Sequence, residues 1–247
     1  MPAPIEAKRP RIAVVIPTLN EEASIGEVVG AVPRDHVDDI IVADSGSEDC
    51  TVARARAAGA RIVLEPRRGY GRACAAGARA AQDCEIVAFL DGDGSDRPEL
   101  VPALLAPILA NTHDFVIGSR TRGEREPGSM NALQIAAGYF AGRLTRVLYG
   151  VGYSDMCAFR AIRRAALDGL GMREMSYGWN LEMQMRAARA GLRILEVPVG
   201  HRRRTGGASK VSGTVTGTLK AGLRIGMTFA KIAFERRPRT SPPDDFG

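Results

Sequence analysis

The sequence predicts an α/β fold in which a mostly parallel central sheet carries helices on both faces. Two observations lead to this class. Short apolar runs alternate with segments of helical periodicity, and polar clusters follow several of the apolar runs. In such sheets ligands bind at the carboxyl ends of the strands, where those polar clusters fall. With 247 residues the chain is long enough for one such domain with a substantial core.

The first half of the chain repeats a strand–helix unit. Its strands are short runs rich in Ile, Val, Leu and Phe, as expected for strands buried on both faces. We predict strands at Ile12–Ile16, Ile40–Ala43, Arg61–Leu64, Ile86–Leu90 and Phe115–Ile117. The intervening helices are predicted at Ser24–Val32, Thr51–Ala58, Gly69–Ala81 and Pro98–Leu109.

The second half has a less regular pattern. We predict a charged loop at Arg120–Ser129, a helix at Met130–Tyr149, a return to the sheet at Ser154–Ile162, a helix at Tyr177–Ala190, an alternating strand at Leu192–Val197 and a basic loop at His201–Lys210. The expected organisation is a flexible N-terminus (1–10), one α/β domain (11–212), an amphipathic helix (213–235) and a disordered tail (236–247).

The net charge of +6 suits an anionic partner such as a nucleotide diphosphate, a lipid phosphate, a phospholipid surface or nucleic acid. The four cysteines form no CxxC pair, which favours reduced thiols in a cytosolic protein. Residues 1–10 lack the apolar core of a signal peptide, and no run of about 18 apolar residues occurs. We therefore expect a cytoplasmic protein whose membrane contact, if any, is peripheral at the cytoplasmic face.

The main candidate for chemistry is Asp91-Gly92-Asp93-Gly94-Ser95-Asp96, directly after the fourth predicted strand. Carboxylates one residue apart at a strand end can hold a divalent cation, which would bridge diphosphate oxygens and neutralise a departing nucleotide. A calcium EF-hand loop does not fit, because Asp96 stands where glycine is needed and Pro102 where the bidentate glutamate belongs. On its own, the motif is also compatible with a solvated acidic turn.

Two further acidic clusters favour a functional site over a solvated acidic turn. Pro17-Thr18-Leu19-Asn20-Glu21-Glu22 follows the first strand, and Asp44-Ser45-Gly46-Ser47-Glu48-Asp49 follows the second. Three such clusters in this order resemble the family 2 glycosyltransferases, which have the GT-A fold. The resemblance covers nearly the whole chain from Ile12 to about Phe234, and dolichyl-phosphate mannose synthases and other polyprenyl-phosphate sugar synthases are the most similar members. It continues at Arg67–Gly71, Gly118–Arg120, Tyr177–Gln184, Glu196–Val199 and Gly207–Lys210.

The resemblance implies inverting transfer of a hexose from a GDP- or UDP-sugar, assisted by Mg²⁺ or Mn²⁺ on Asp91 and Asp93. Asp44 would accept a hydrogen bond from the base, as an acceptor-only carboxylate can. The implied nucleotide-binding residues are Pro17, Thr18, Leu19, Asn20, Glu21, Asp44, Ser45, Gly46, Arg68, Gly71, Asp91 and Gly92. Pro17 and Asn20 could instead only shape a turn, and Asp44 could only cap the next helix.

The resemblance also implies a polyprenyl or dolichyl phosphate acceptor. Arginine suits phosphate through its planar fork of donors. The implied acceptor and phosphate ligands are Arg122, Arg125, Arg202, Arg203, Arg204 and Lys210, and the implied catalytic residues are Asp93, Arg120, Glu182 and Asp155.

The need for a general base depends on the acceptor. A phosphate acceptor is already anionic, whereas a hydroxyl acceptor must lose a proton to a nearby carboxylate. Glu182 is the first candidate for that base and Asp155 the second. The synthases tend to have Gln-Met-Glu where this chain has Glu182-Met183-Gln184, so Glu182 could equally be structural.

Several alternatives remain or are rejected. A glycosyltransferase with a soluble or glycan hydroxyl acceptor and a non-catalytic sugar-nucleotide-binding regulator stay open. A dinucleotide-binding motif at Gly69–Cys74 is rejected, because Cys74 stands in place of the third glycine. No aromatic residues are interleaved with the arginines for base stacking, which argues against nucleic acid.

The helix at 213–235 carries basic residues beside a broad apolar face, which suits either an anionic membrane surface or packing on the domain. The donor sugar, its base, the acceptor and the oligomeric state are left open by the sequence.

Overall fold

The structure is a computed structural model that describes residues 9–206 and 226–235. The strands are β1 (Ile12–Thr18), β2 (Asp39–Asp44), β3 (Arg61–Leu64), β4 (Ile86–Phe89), β5 (Phe115–Ser119), β6 (Arg160–Arg163) and β7 (Ile194–Pro198). The helices are α1 (Ile25–Gly30), α2 (Thr51–Ala57), α3 (Tyr70–Ala80), α4 (Val101–Leu109), α5 (Ala132–Tyr149), α6 (Arg164–Gly169) and α7 (Trp179–Arg189). The strands form a seven-stranded sheet in the order β3-β2-β1-β4-β6-β5-β7. The predicted α/β class is confirmed.

The first four strands form the parallel part of the sheet. β1 pairs with β2 on one side and with β4 on the other, and β2 pairs with β3. Helix α3 packs so closely on this part that a Cβ atom at Gly77 would lie 2.3 Å from Cγ1 of Val15. Glycine at this position therefore allows the helix to approach the sheet. The parallel arrangement brings the carboxyl ends of β1, β2 and β4 together at one edge.

The predicted elements of this half agree with the structure to within two residues at most boundaries, and β3 agrees at both ends. The predicted helix at Pro98–Leu109 begins as a 3₁₀ turn at Pro98–Leu100 before α4. Strand β5 extends two residues beyond its predicted end, because Gly118 and Ser119 pair with β7.

The prediction that Ser154–Ile162 returns to the sheet is correct only for its last residues. Strand β6 begins at Arg160 and runs antiparallel to both β4 and β5. Just before β6, the Phe159 carbonyl accepts a hydrogen bond from the Gly118 amide of β5 at 2.8 Å. The start of the segment is bonded to side chains instead: Glu196 Oε1 accepts from the Ser154 amide at 2.9 Å, and Gln184 Nε2 donates to the Asp155 carbonyl at 2.8 Å. Helix α6, directly after β6, was not predicted.

Helices α5 and α7 form a second layer with the described part of the C-terminal helix. Residues 226–234 are helical, and Ile232 packs with Ala141, Leu181 and Met185 in a small apolar cluster. This part of the predicted helix at 213–235 therefore packs on the domain. Residues 213–225, Lys210, the tail at 236–247 and residues 1–8 lie outside the described part of the chain.

In the described ranges, no helix combines the length and the apolar character that crossing a bilayer requires. All four cysteines are free, as predicted; Cys50 is exposed, and Cys74, Cys84 and Cys157 are buried.

Candidate active site

A cleft of about 900 Å³ opens at the carboxyl ends of β1, β2 and β4. We call the lining residues that precede β5 the N-terminal wall and those that follow it the C-terminal wall. The N-terminal wall consists of Pro17, Thr18, Leu19, Glu21, Ser45, Arg68, Gly69, Tyr70, Ala73, Asp91, Gly92, Asp93 and Ser95. The C-terminal wall consists of Arg120, Gly128, Ser129, Asn131, Leu133, Gln134, Ala137, Met156, Ala158, Tyr177, Asn180, Leu181 and His201–Arg204.

The acidic loop after β4 is rigidly held in the N-terminal wall. The Tyr70 hydroxyl donates to Asp91 Oδ1 at 3.0 Å, and the Asp91 amide donates to Asp96 Oδ2 at 2.9 Å. The amide and hydroxyl of Ser95 both donate to Asp93 Oδ1, at 2.9 and 2.6 Å. These bonds fix both carboxylates of the Asp91-Gly92-Asp93 motif at the floor of the cleft.

Glycine between the two aspartates allows a close approach to β1. A Cβ atom at Gly92 would lie 2.7 Å from Cγ2 of Thr18, and the Gly92 carbonyl accepts a hydrogen bond from Ser24 Oγ at 2.7 Å. A larger residue at this position would push the acidic loop away from the residues that follow β1. Glycine between the two aspartates therefore allows the loop after β4 to lie against the end of β1 in one site.

The carboxylates at this site repel one another. Burial, together with the neighbouring Asp96 and Asp93, raises the pKa of Asp91 to about 8. Burial also raises the pKa of Asp96 to about 6. Such a group of buried acids is stabilised by a cation, which favours the charged form of each carboxylate.

The donor set fits a divalent cation held partly by the protein. Asp91 and Asp93 supply two hard oxygen ligands of the kind that Mg²⁺ and Mn²⁺ prefer, which leaves positions for water or phosphate oxygens. Among the described residues, no cluster of three or more acidic, histidine or cysteine side chains is arranged to hold a metal ion. A cation on the two aspartates would therefore keep positions open for water or phosphate oxygens.

His201 is a nearby group that the sequence interpretation did not single out. Its buried Nδ1 has no hydrogen-bond partner among the described residues and lies 3.8 Å from Asp96 Oδ1. Burial and the Arg120 charge lower the pKa of His201 to about 4, so the ring is neutral near pH 7. A neutral imidazole at this position can accept a hydrogen bond or donate its lone pair to a cation.

Several predicted nucleotide-binding residues do not line the cleft. Asp44 is 1% exposed and accepts hydrogen bonds from the Thr18 hydroxyl and from both the amide and the hydroxyl of Ser47. Asn20, at a positive φ of 53°, accepts from the Glu48 amide. Both residues shape the loops that present Thr18, Leu19 and Ser45, and they do not line the cleft themselves.

Gly46 and Gly71 also lie outside the lining. A Cβ atom at Gly71 would lie 2.5 Å from the Glu174 carbonyl oxygen, so this glycine serves the close packing of α3. Pro17, Thr18, Leu19, Glu21, Ser45, Arg68, Asp91 and Gly92 are the predicted nucleotide-binding residues that line the cleft.

Arg120 lines the C-terminal wall and forms a bidentate ion pair with Asp155. Its Nε and terminal nitrogen lie 2.7 and 2.8 Å from the two carboxylate oxygens. Burial alone would raise the pKa of Asp155, but the contact with Arg120 lowers it below its usual value. Asp155 does not line the cleft, and its carboxylate is occupied by Arg120. It is therefore placed to position Arg120 and is poorly placed to act as a base.

The hypothesis that Glu182 is the general base is not supported by its position. Glu182 is 2% exposed and does not line the cleft. Its carboxylate accepts hydrogen bonds from the amides of Arg173 and Glu174, at 2.9 and 2.6 Å, and from Arg186 Nε at 2.8 Å. These contacts join the start of α7 to the loop before it, while the adjacent Asn180 and Leu181 face the cleft.

The three consecutive arginines after β7 line the cleft, and one of them connects its two walls. Arg204 contacts Glu21 and places a terminal nitrogen 3.3 Å from Asp93 Oδ2. The backbone of this loop is bonded to the acidic loop: the Arg202 amide donates to the Ser95 carbonyl at 2.9 Å, and the Thr205 amide donates to the Asp93 carbonyl at 3.1 Å. The positive loop is therefore held directly beside the acidic motif.

Two other predicted phosphate ligands, Arg122 and Arg125, do not line the cleft. Arg122 lies 4.0 Å from Glu196, and Arg125 forms a backbone bridge with His201. Lys210 lies outside the described residues.

The sequence interpretation also missed Tyr70 and the apolar part of the C-terminal wall, namely Leu133, Ala137, Met156, Ala158 and Leu181. Tyr70 could have been found from the sequence, because it stands between two glycines at the predicted start of a helix. The apolar residues could not, because nothing in their local pattern distinguishes them from core residues.

This arrangement, an acidic motif at the strand ends of an α/β sheet facing a basic loop, is typical of a transferase that uses a nucleotide donor. The sequence model of glycosyl transferase family 2 matches residues 13–171. The chain therefore belongs to this family, and it is a glycosyltransferase.

Three relatives illustrate the similarity. The chain is 38% identical over 212 residues to an uncharacterized glycosyltransferase of Mycobacterium tuberculosis, covering 85% of this chain and 94% of the relative. It is 33% identical to the undecaprenyl-phosphate mannosyltransferase of Micrococcus luteus, covering 84% and 90%. It is also 33% identical to the dolichyl-phosphate hexose transferase of Haloferax volcanii, covering 92% and 96%.

Solved structures of glucosyl-3-phosphoglycerate synthase from Mycobacterium tuberculosis have the same fold. One, a complex with phosphoglyceric acid, superposes with a TM-score of 0.72 at 28% identity, covering 92% of this chain and 81% of that one. A second contains Mn²⁺, uridine diphosphate and phosphoglyceric acid, with a TM-score of 0.73 at 27% identity and coverages of 92% and 80%. A third contains Mg²⁺ and uridine diphosphate.

Proposed function

We propose that this enzyme transfers a hexose, with inversion, from a nucleotide-sugar to a polyprenyl phosphate, assisted by Mg²⁺ or Mn²⁺. The proposal rests on one observation above the others. Of the described residues that line the cleft, only Glu21, Asp91 and Asp93 carry carboxylates, and all three belong to the N-terminal wall. The C-terminal wall presents arginines and apolar groups instead.

The N-terminal wall is suited to the donor. Thr18, Leu19 and Ser45, at the ends of β1 and β2, form the part of the wall assigned to the nucleoside, and Arg68 lines the same wall. Asp91 and Asp93 would hold the divalent cation, which, when bound, neutralises charge on the diphosphate and on the departing nucleotide. The presence of Mn²⁺ or Mg²⁺ with uridine diphosphate in similar structures supports this assignment.

The C-terminal wall is suited to an anionic acceptor that carries an apolar chain. Arg120, Arg202 and Arg203 provide guanidinium groups for phosphate, and Arg120 is pre-oriented by Asp155. The apolar surface beside them, including Leu133 and Met156, offers a path for the first prenyl units. Relatives named for undecaprenyl phosphate and dolichyl phosphate support this acceptor class.

The chemistry follows from this division. The acceptor phosphate is already an anion, so an oxygen of it attacks the anomeric carbon without first losing a proton to the protein. The bond between that carbon and the donor diphosphate breaks, and the nucleoside diphosphate leaves with the electron pair. The arginines hold the two anions in line, and their charge stabilises the transition state.

A second candidate is transfer to a soluble phosphorylated acceptor. It is favoured by the similar structures that contain phosphoglyceric acid in a protein of the same fold. A hydroxyl acceptor requires a base, and the two carboxylates considered for that role, Glu182 and Asp155, are both occupied by other contacts. A non-catalytic regulator is not retained, since the chain belongs to a glycosyltransferase family.

The decisive experiment is an acceptor panel with the full chain, GDP- and UDP-hexoses, and Mn²⁺ or Mg²⁺. We expect sugar transfer to a short-chain polyprenyl phosphate, and none to the corresponding free polyprenol. Transfer to phosphoglyceric acid but not to a prenyl phosphate would establish the second candidate. Transfer to the free alcohol would contradict the first candidate, because the acceptor atom would then be a hydroxyl oxygen and not a phosphate oxygen.

A further inference from the structure

Helix α5 exposes an apolar stripe that no described element covers. The stripe consists of Leu133, Phe140, Leu144, Val147 and Leu148, which recur at helical spacing along one face. Phe140 is 66% exposed and Val147 is 82% exposed, although both are large apolar side chains. The opposite face of α5 is buried at Gly138, Ala141, Gly142 and Thr145. The helix is thus apolar on the outside as well as at its buried face.

The buried face explains why the helix cannot simply turn its stripe inward. A Cβ atom at Gly142 would lie 1.7 Å from the carbonyl oxygen of Tyr153, so the small residue is needed for contact with that loop. The Thr145 hydroxyl donates to the Ala141 carbonyl within the helix. The Asn131–Gln134 capping box and the left-handed Gly150 fix the two ends. The outward direction of the stripe is therefore set by packing.

The polar flank of the stripe is basic. Arg143 and Arg146 are exposed on α5, and none of the 18 residues from Ala132 to Tyr149 is acidic. A helix of this length is about 27 Å long, which is too short and too polar to span a bilayer but sufficient to lie along its surface. Large apolar residues beside arginines are the composition of interfacial helices on anionic membranes.

The stripe is continuous with the cleft. Leu133 belongs both to the stripe and to the C-terminal wall, and Gln134 and Ala137 of the same helix also line the cleft. An acceptor held by its phosphate in the cleft would therefore have its first prenyl units beside Leu133, about two helical turns from Phe140, which does not line the cleft. This point rests on the proposed function; the exposure and the charge of α5 do not.

We propose that the exposed face of α5 is a membrane-docking surface that lies in the headgroup region of an anionic bilayer. It places the mouth of the cleft at the level where a lipid phosphate is found. A second copy of the chain fits this surface less well: a two-fold contact through α5 would bring arginines together on a helix that has no carboxylate to pair with them.

The test is co-sedimentation of the full chain with phosphatidylcholine vesicles, with and without phosphatidylglycerol. We expect binding that is stronger with phosphatidylglycerol, and a loss of at least about tenfold in the double variant Phe140→Asp/Val147→Asp. The double variant Arg143→Gln/Arg146→Gln should lose the preference for phosphatidylglycerol. Leu64→Asp is the matched control, because Leu64 is 69% exposed on β3, at the other edge of the sheet from β5 and β7.

Unchanged vesicle binding by the Phe140→Asp/Val147→Asp variant, or no binding by the wild-type chain, would overturn the proposal. So would a wild-type dimer in sedimentation equilibrium that this variant converts to a monomer, since the occupant would then be a second copy. Circular dichroism and thermal unfolding check that each variant is folded.

A parallel assay separates this proposal from the proposed function. Transfer to a water-soluble, short-chain prenyl phosphate without vesicles should be equal in the wild type and the stripe variant. Failure of that reaction in the wild type, with vesicle binding intact, would defeat the acceptor assignment and leave the docking surface standing.

Discussion

The two walls of the cleft are built on different principles. The N-terminal wall is acidic and lies at the ends of neighbouring parallel strands, so its groups come together wherever the sheet forms. The C-terminal wall is basic and apolar, and it depends on contacts between distant segments. Arg120 is paired with Asp155, 35 residues away, and Arg204 with Glu21, 183 residues away.

Under the proposed function, this difference allows one cleft to hold two substrates of like charge. A nucleotide-sugar and a phosphate acceptor are both anions, so a site that binds them together must lower their mutual repulsion. The N-terminal wall does this through carboxylates that require a cation, whereas the C-terminal wall does it through permanent guanidinium charges. Loss of a group from one wall should therefore change metal dependence, and loss from the other should change acceptor use.

The largest effect is expected from Asp93→Asn. Without this carboxylate the cation is poorly held, and the leaving nucleotide keeps its full charge. We expect sugar transfer to fall by about a thousandfold or more, and the thermal stabilisation by a nucleoside diphosphate with Mn²⁺ to be lost. The same stabilisation should vanish for the wild type when a chelator removes the metal.

The control for this variant is Asp168→Asn, which removes an exposed carboxylate on α6, away from the cleft. It should behave like the wild type in both assays. Metal-dependent stabilisation that persists in Asp93→Asn would show that the cation lies elsewhere.

The next effect is expected from Asp155→Asn in the other wall. Arg120 would lose both carboxylate contacts, and a buried pair that loses one partner costs about 3 kcal/mol of stability. Acceptor positioning should suffer as well, with a loss of about a hundredfold in kcat/KM for the acceptor. Urea unfolding and steady-state kinetics measure the two quantities.

A double-mutant cycle with Arg120→Gln sharpens this prediction. If Asp155 acts by positioning Arg120, removal of Asp155 should change little once Arg120 is gone. A full additional loss in the double variant would mean that Asp155 contacts the substrate on its own.

A smaller effect is expected from Arg204→Gln, which breaks the link between the walls. The Arg204 side chain is 23% exposed and the carboxylates of Glu21 and Asp93 are 10% and 16% exposed, so loss of these mostly buried contacts should cost about 1–3 kcal/mol of stability. We expect KM to rise by about tenfold, because the guanidinium that faces the substrates is lost. The comparison variant is Arg61→Gln, which breaks an ion pair with Asp39 at the first residues of β3 and β2, outside the cleft lining; a similar rise in KM there would point to a general charge effect.

The smallest effect on activity is expected from Glu182→Gln. Its carboxylate bonds to the loop before α7 and to Arg186, so the variant should lose about 1–3 kcal/mol of stability. Turnover of the folded enzyme should change by less than about threefold, with the shape of its pH profile unchanged. A large loss of turnover together with an altered pH profile would restore Glu182 as the base and favour a hydroxyl acceptor.

The accuracy of the sequence predictions follows the same division between the walls. The strand–helix alternation and the acidic clusters after β1 and β4 were predictable, because apolar runs and the groups at their ends are local properties. Asp44 shows the limit of such reasoning: it stands at the predicted strand end, but its hydrogen bonds to Thr18 and Ser47 turn it beneath the cleft.

In the second half of the chain, the sequence pattern alone could distinguish neither a catalytic carboxylate from a structural one nor the strands that pair with β6. Glu182 and Asp155 are carboxylates in suitable segments, and only the contacts with Arg186 and Arg120 show that both are occupied. The antiparallel placement of β6 between β4 and β5 depends on strand pairing across more than forty residues, as in Val116 with Ala161. Residue type and spacing do not indicate which distant strands pair.

By itself, the sequence determined the α/β class, the family and the acidic motif at the end of β4, because these depend on short-range periodicity and on which residues follow a strand. The tertiary structure alone decided which arginines face the cleft, which carboxylates are already paired and which side of α5 remains exposed. Those properties arise from contacts between distant segments, and the free energy of such contacts depends on geometry that residue order does not display.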